Sequence, residues 1–116
     1  MALTFEELRK ANMLRLPQFK NAKGERAHPA EDGSDWSLAD WMVAILGELG
    51  ELANLQKKVR RGDLTLDEAM LEMGREIADV QIYLDIYAYQ LRLDLGTVTA
   101  EKFNKVSERV GSDVRL

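Results

Sequence analysis

The sequence contains no cysteine and only one histidine, His28. The absence of cysteine excludes disulfides, thiolate zinc ligands and a cysteine nucleophile. A single histidine excludes a metal site built from several histidines of one chain, although a Ser-His-Asp triad could still use it. If this protein binds a metal ion, we therefore expect the ligands to be oxygens from its 20 Asp and Glu residues.

The sequence also lacks a basic surplus and a long hydrophobic run. Its 16 Lys and Arg residues against 20 Asp and Glu residues give a net charge of −4, which attracts neither nucleic acid nor an anionic membrane. No stretch of about 18 uncharged apolar residues is present to span a membrane. The first 16 residues resemble a charged amphipathic helix and not a signal peptide. We expect a cytoplasmic protein with no nucleic-acid or membrane partner.

The 116 residues fit one domain, 1–116. Thr4, Ser37 and Thr65 can each cap a helix, and an acidic residue follows each of them three positions later. Proline and glycine mark the helix ends. No long alternation of polar and apolar residues predicts a strand. The expected helices cover residues 4–16, 37–61, 65–94 and 98–110, with Gly96 breaking the third.

A long loop, 17–36, separates the first two helices and contains both prolines. Loops of more than about 12–15 residues in a compact domain are usually functional or mobile. Both a mobile connector and a functional segment remain open for this loop.

Apolar residues on the second helix repeat at alternating spacings of four and three, which is typical of a helix packed along another helix. They are Leu38, Met42, Ile45, Leu49, Leu52 and Val59, with the polar Gln56 at the seam position between the last two. The third helix contains VQIYLDIYAYQLRL, which is apolar on almost every side and must be covered on every side. We therefore expect an all-α bundle of about four helices per chain that is completed by oligomerisation.

Two acidic pairs with a spacing of three lie in the middle of these two helices: Glu48 with Glu51, and Glu76 with Asp79. Residues three apart point to the same side of a helix. If the helices pack antiparallel, four carboxylates meet and repel one another unless a cation joins them. Such hard oxygen ligands suit Mg²⁺ or Mn²⁺, and Mg²⁺ usually completes its shell with substrate phosphates. The plainer alternative is that these acids are surface residues of an ordinary bundle.

Two glycines, Gly47 and Gly50, interrupt the same part of the second helix. Each destabilises a helix interior by about 1 kcal/mol relative to alanine. Close approach of another helix or of a bound ligand would explain them.

The spacing Glu48-x-x-Glu51 followed by Glu76-x-x-Asp79 resembles the ExxE…ExxD signature of the MazG-like nucleoside triphosphate pyrophosphohydrolases. The segments DWSLADWMVAILGELGELANLQKKVRRGD, EIADVQIYLDIYA and EKFNKVSER extend the resemblance over roughly residues 34–110. It implies a MazG-like helical bundle that forms homodimers or homotetramers. It also implies Mg²⁺-dependent hydrolysis of a (d)NTP to the monophosphate and pyrophosphate, with the four acids as metal ligands. Cleansing of the nucleotide pool is the expected role.

Further residues are candidates for catalysis and substrate binding. Glu48 or Glu51 could orient the attacking water. Trp41 could stack on a base, although a core position is at least as compatible with its pattern. Lys57 and Lys58 could attract phosphates, although cations are also favoured at a helix C-terminus. By resemblance to the C-terminal KFN…R stretch of the family, Lys102, Asn104 and Arg109 are candidates as well.

Two other functions remain as alternatives. A non-catalytic helical oligomer, acting as an adaptor or regulator, would need none of these acids for ligand binding. A di-iron carboxylate bundle is disfavoured because it requires Glu-x-x-His pairs, and the only histidine lies in the loop.

Overall fold

The first three helices begin where the sequence predicts. The computed structural model describes residues 2–116. In it, Thr4, Ser37 and Thr65 each accept a hydrogen bond from the backbone N–H three residues later, and the acidic side chain there bonds back to the capping residue. The helices are α1 (Phe5–Arg15), α2 (Leu38–Arg61), α3 (Leu66–Gln90) and α4 (Leu95–Val110).

The described residues 2–116 contain four α-helices and no strand, which confirms the all-α prediction for that part of the chain. A 3₁₀ turn, Leu16–Gln18, follows α1 at Pro17. The nearest approach to a sheet is an isolated antiparallel bridge between Lys20 and Arg26. No helix in this range combines the length and the apolar character needed to cross a membrane.

The end of α3 differs from the prediction. The helix stops at Gln90 instead of Asp94, because Arg92 adopts a left-handed conformation with φ of 59°. The backbone N–H of Leu93 then bonds to the carbonyl of Ala88 over 2.9 Å, which closes the helix end.

The predicted break at Gly96 is also wrong. Asp94 caps α4 by accepting a hydrogen bond from the N–H of Thr97, and this places Gly96 within the first turn of α4. The helix therefore begins at Leu95, three residues before the expected start at 98.

The helices α2 and α3 form a hairpin. Gly62 ends α2 in the left-handed conformation, with φ of 85°, and Thr65 caps α3 directly afterwards. Such a short connection makes the two helices antiparallel neighbours. Leu16, Trp41 and Ile86 form the buried centre of the core.

A buried polar group fixes α1 against α3. Asp85 is 0% exposed. Its carboxylate accepts hydrogen bonds from Arg9 Nε at 3.1 Å and Asn12 Nδ2 at 2.9 Å. Arg9 also donates to the carbonyl of Leu93 at 2.9 Å. Part of the segment that the sequence predicts to need cover on all sides is thus covered by α1 of the same chain.

The loop between α1 and α2 is packed on this core. Gly33 is buried, and its carbonyl accepts a hydrogen bond from Trp41 Nε1 at 3.1 Å. Gln90 Nε2 donates to the carbonyl of Asp32 at 2.7 Å. These contacts order the loop, so they disfavour the interpretation of the loop as a mobile connector.

Candidate metal centre

Three carboxylates from α2 and α3 converge on one point. Glu48, Glu76 and Asp79 each offer one carboxylate oxygen, and these oxygens lie within 4.8 Å of one another. All three residues are half-buried. The antiparallel hairpin thus brings the two predicted acidic pairs together, as expected, through these three members.

Glu51, the fourth predicted ligand, lies outside this group of three. Its side chain is exposed and lines a small cleft of about 200 Å³ beside Glu76. The pKa of Glu51 is raised, first by a hydrogen bond that the carboxyl shares with Glu76 and then by the negative charge of Glu76. Glu76 therefore belongs to the group of three carboxylates and also interacts with Glu51.

Glu76 is in an unfavourable electrostatic position. Its pKa is raised, first by hydrogen bonding between its carboxyl and that of Glu48, and further by burial and by the charges of Glu48 and Asp79, whereas hydrogen bonding with Glu51 opposes the shift. Its Oε2 is buried and has no hydrogen-bond partner among residues 2–116. Within that range, none of the four predicted ligands forms an ion pair with a lysine or arginine. A cation at this point would relieve the repulsion and give Oε2 a partner.

A cavity of about 520 Å³ opens beside the cluster, and Glu48 and Asp79 form part of its wall. This volume falls in the range of small-molecule sites, about 300–1,000 Å³. The remaining wall residues are mostly apolar or aromatic, with two cations. They are Arg15, Leu16, Phe19, Lys20, Ala27, His28, Trp36, Trp41, Ile82, Tyr83 and Ile86.

Three rings pack against one another on the aromatic side. His28 stacks on Trp41 with ring centroids 5.2 Å apart and meets the edge of Trp36 at 4.7 Å. Its Nδ1 lies 3.2 Å from Asp35 Oδ2, which fixes the plane of the imidazole. Trp41 is 1% exposed and Trp36 is 37% exposed. Trp41 is thus a core residue that also lines the cavity, and Trp36 has the more accessible ring.

The two predicted phosphate contacts on α2, Lys57 and Lys58, occupy different places. Lys58 lines the small cleft together with Glu51 and Glu76, whereas Lys57 is exposed and lines neither the cleft nor the cavity.

The candidates on α4 lie elsewhere. Lys102 and Arg109 line a separate surface cleft that contains no residue of α2 or α3. Asn104 is engaged by the backbone of Leu116, with hydrogen bonds of 2.8 and 3.1 Å. The α4 candidates therefore share no cavity with the acids of the same chain.

The interior glycines of α2 have no close neighbour in this chain. A Cβ added at Gly47 or Gly50 would meet nothing within 4 Å. The expected close approach of another helix is therefore absent within the described chain, and the two glycines face open space on the surface of the hairpin.

Sequence reasoning missed Arg15 and Lys20 as parts of the cavity wall. Arg15 has the ordinary pattern of a basic residue in the last turn of a helix, and Lys20 lies in an irregular loop. Their proximity to the acids depends on how the chain leaves α1. The spacing of residues along the sequence therefore does not predict this proximity.

No protein-family model matches the chain, and no solved structure matches it significantly. The Gene 37 protein of Mycobacterium phage L5 is 37% identical over 70 residues, which are 58% of this chain and 60% of the phage protein. The match thus covers about three fifths of that relative, whose name states no activity.

Proposed function

We propose that this protein is a Mg²⁺-dependent nucleoside triphosphate pyrophosphohydrolase of the MazG-like type. The observation that carries the proposal is the convergence of Glu48, Glu76 and Asp79 within 4.8 Å at the wall of a cavity of about 520 Å³. A nucleotide needs both features, because its phosphates bind through metal ions and its base binds against apolar rings. The resemblance of the two acidic motifs to the MazG-like signature supports the same assignment.

The donor set fits a hard divalent cation. All the converging groups are carboxylate oxygens, which Mg²⁺ and Mn²⁺ prefer, and the buried Glu76 Oε2 lacks any other partner within residues 2–116. Glu48, Glu76 and Asp79 would hold the ion, with Glu51 beside Glu76. When bound, the ion supplies neutralisation of the phosphate charge and polarisation of the phosphate oxygens.

The protein's own residues would then carry out the reaction with a bound (d)NTP. Water attacks phosphorus, the anhydride bond between the α- and β-phosphates breaks, and pyrophosphate leaves with the bonding electron pair. Glu48 faces the cavity whereas Glu51 faces the small cleft. Glu48 is therefore better placed to orient this water and take its proton. The rings of His28 and Trp36 would pack against the base.

A second copy of the chain would complete the bundle. The described chain exposes 8390 Å², whereas a compact monomer of this mass exposes about 6,400 Å². Its radius of gyration is 17.2 Å, against about 13 Å for a compact chain of this length. The excess of about 2,000 Å² is more than the roughly 800 Å² per partner of a standard interface. These values support a homodimer or homotetramer.

The exposed apolar residues support α2 and α3 as the surface on which the copies would meet. A row with a spacing of seven runs along α3 and ends at Leu91, the residue directly after the helix. Its members remain 37–57% exposed: Met70, Ile77, Leu84 and Leu91. On α2, Leu38, Met42 and Leu49 of the predicted seam are 37–44% exposed, and only Ile45 is fully buried. Heptad rows of this kind pack against other helices. The proposed substrate contacts of Lys102, Asn104 and Arg109 would require α4 of another copy.

Pyrophosphate release in the presence of Mg²⁺ and a panel of dNTPs tests the proposed activity. Glu48→Gln and Asp79→Asn should reduce turnover at least a hundredfold, because they remove charge from the cation site. Glu101→Gln is a matched control on the exposed surface of α4 and should leave turnover unchanged. A folded wild-type protein that turns over no nucleotide and whose stability does not respond to Mg²⁺ would instead support the adaptor alternative.

A further inference from the structure

Two cations share the cavity with the acidic cluster. Arg15 is the last residue of α1, and Lys20 follows in the loop. Both line the same cavity as Glu48 and Asp79. The cavity therefore has carboxylates contributed by the α2–α3 hairpin and positive charge contributed by the end of α1.

The backbone that carries these cations is held in place. Leu16, the first residue of the 3₁₀ turn, is 2% exposed and belongs to the core centre. The N–H of Ala27 donates to the carbonyl of Phe19 over 2.8 Å, and Lys20 pairs with Arg26 in the isolated bridge. The Arg15 guanidinium lies over the Phe19 ring at 5.5 Å. The backbone at Arg15 and Lys20 is thus held by local structure before any ligand arrives.

Neither cation is neutralised within the described chain. No carboxylate of residues 2–116 lies within ion-pair distance of Arg15 or Lys20. By contrast, Arg9 on the same helix is paired with Asp85 at 3.1 Å. Two uncompensated cations on a cavity wall create a positive potential that an anionic ligand can satisfy.

Tyr83 shows that the opposing charges act on the same space. The pKa of Tyr83 is raised by burial and then by the negative charges of Glu48 and Asp79, whereas the positive charge of Arg15 opposes the shift. The phenol therefore lies within the electrostatic reach of both groups. A ligand that occupies this space meets carboxylates and a guanidinium together.

We propose that Arg15 and Lys20, which line the same cavity as Glu48 and Asp79, bind the phosphate groups of the substrate directly. The inference rests on the proposed function and assigns phosphate contacts that the sequence places on Lys57 and Lys58. The arginine fork can bind two phosphate oxygens at once, and the lysine ammonium adds a point charge. A polyphosphate that bridges a cation at Glu48 and Asp79 to Arg15 and Lys20 satisfies both sets of charges.

Binding of inorganic tripolyphosphate with Mg²⁺, measured by isothermal titration calorimetry, tests this inference without a base or a turnover step. Arg15→Gln and Lys20→Gln should each weaken binding about tenfold or more, because each removes a charge-assisted contact. Lys23→Gln is the matched control, since Lys23 lies in the same loop and lines no part of the cavity. It should bind like the wild type.

Two further measurements separate this role from a structural one. Mn²⁺ binding without phosphate should be unchanged in both variants, because the metal ligands are elsewhere. With a dNTP that the wild type hydrolyses, KM should rise about tenfold and kcat should change less. Circular dichroism verifies that each variant is folded. If Arg15→Gln does not fold, Lys20→Gln alone decides, because its side chain is exposed on a loop.

The outcomes distinguish this inference from the proposed function. If the wild type hydrolyses no nucleotide but binds tripolyphosphate through Arg15 and Lys20, the activity is wrong and the phosphate site stands. If the wild type hydrolyses dNTPs and both variants bind tripolyphosphate with wild-type affinity, the activity stands and this inference is wrong. The inference is also overturned if the wild type binds no tripolyphosphate with Mg²⁺.

Discussion

The indole Nε1 of Trp41 donates a hydrogen bond to the backbone carbonyl of Gly33 over 3.1 Å. This bond joins the long loop to the core, and it requires Gly33 to lie directly against the ring. The loop in turn positions His28 and Trp36 at the cavity. The geometry of the aromatic wall therefore depends on one glycine far from the acids in sequence.

Gly33→Ala should destabilise the fold by about 2–4 kcal/mol. Gly33 has a φ of +78°, and its Cβ would lie 2.9 Å from Leu16 Cδ2 and from Trp41 Cζ2. Left-handed strain and overpacking therefore add together. Gly24→Ala is the matched control, because Gly24 has a φ of +77° with nothing within 4 Å. Urea denaturation of both variants measures the difference, and equal losses would contradict the packing role of Gly33.

Asp85→Ala should be strongly destabilising, by about 3–5 kcal/mol, because it leaves Arg9 and Asn12 without their buried partner. Asp63→Ala breaks an ion pair with Arg61 in which both side chains are more than half exposed, and it should cause little change. Thermal unfolding of the two variants tests the contrast. A similar small effect in both would show that Asp85 does not hold α1 in place.

The acidic cluster predicts an unusual pH dependence in the absence of metal ions. The pKa values of Glu51 and Glu76 are raised in the folded state, so above the usual glutamate value of about 4.3 the folded chain binds more protons than the unfolded chain. The free energy of unfolding should therefore fall as the pH rises above the usual glutamate pKa and through the raised pKa values of Glu51 and Glu76. It should be higher near pH 5 than near pH 7.

Thermal unfolding in the presence of a chelator, repeated at several pH values, measures how Tm depends on pH. Glu76→Gln should make Tm less dependent on pH. Mg²⁺ should raise Tm at neutral pH, where the carboxylates are charged, by binding the folded state. Three aspartates with lowered pKa values, Asp32, Asp40 and Asp94, lose their contribution only at lower pH. An identical pH profile in the wild type and in Glu76→Gln would rule out the cluster as the cause.

Ile77→Glu should dissociate the proposed oligomer. Ile77 is 57% exposed in the middle of the apolar row on α3, and a carboxylate there would be buried between copies at a high cost. Leu14→Glu is the control on α1, at a residue that is 74% exposed and outside that row. Light scattering after size exclusion should give the wild type and Leu14→Glu at two or four times the chain mass of 13.2 kDa. A monomeric wild type would contradict the oligomer.

The features that the sequence predicts well are local ones. Thr4, Ser37 and Thr65 start their helices because each capping box is complete within four residues. The meeting of Glu48 with Glu76 and Asp79 was predictable because a short turn imposes antiparallel packing on α2 and α3.

The features that the sequence does not reveal depend on distant contacts. Arg92 ends α3 early in a left-handed conformation that is unusual for a residue with a side chain, and its guanidinium lies over the Tyr89 ring at 5.0 Å. Asp85 looks like an interruption in an apolar run until Arg9 and Asn12 reach it from α1. Arg15 and Lys20 line the cavity only through the tertiary packing that brings the end of α1 and the following loop beside α2 and α3.

The most direct test of the account is a ³¹P nuclear magnetic resonance measurement of a dNTP incubated with the protein and Mg²⁺. The proposed activity predicts equal growth of the monophosphate and pyrophosphate signals, no growth with Asp79→Asn, and no growth when a chelator removes Mg²⁺. Release of orthophosphate with a diphosphate, or an unchanged triphosphate spectrum for every nucleotide tested, would contradict it.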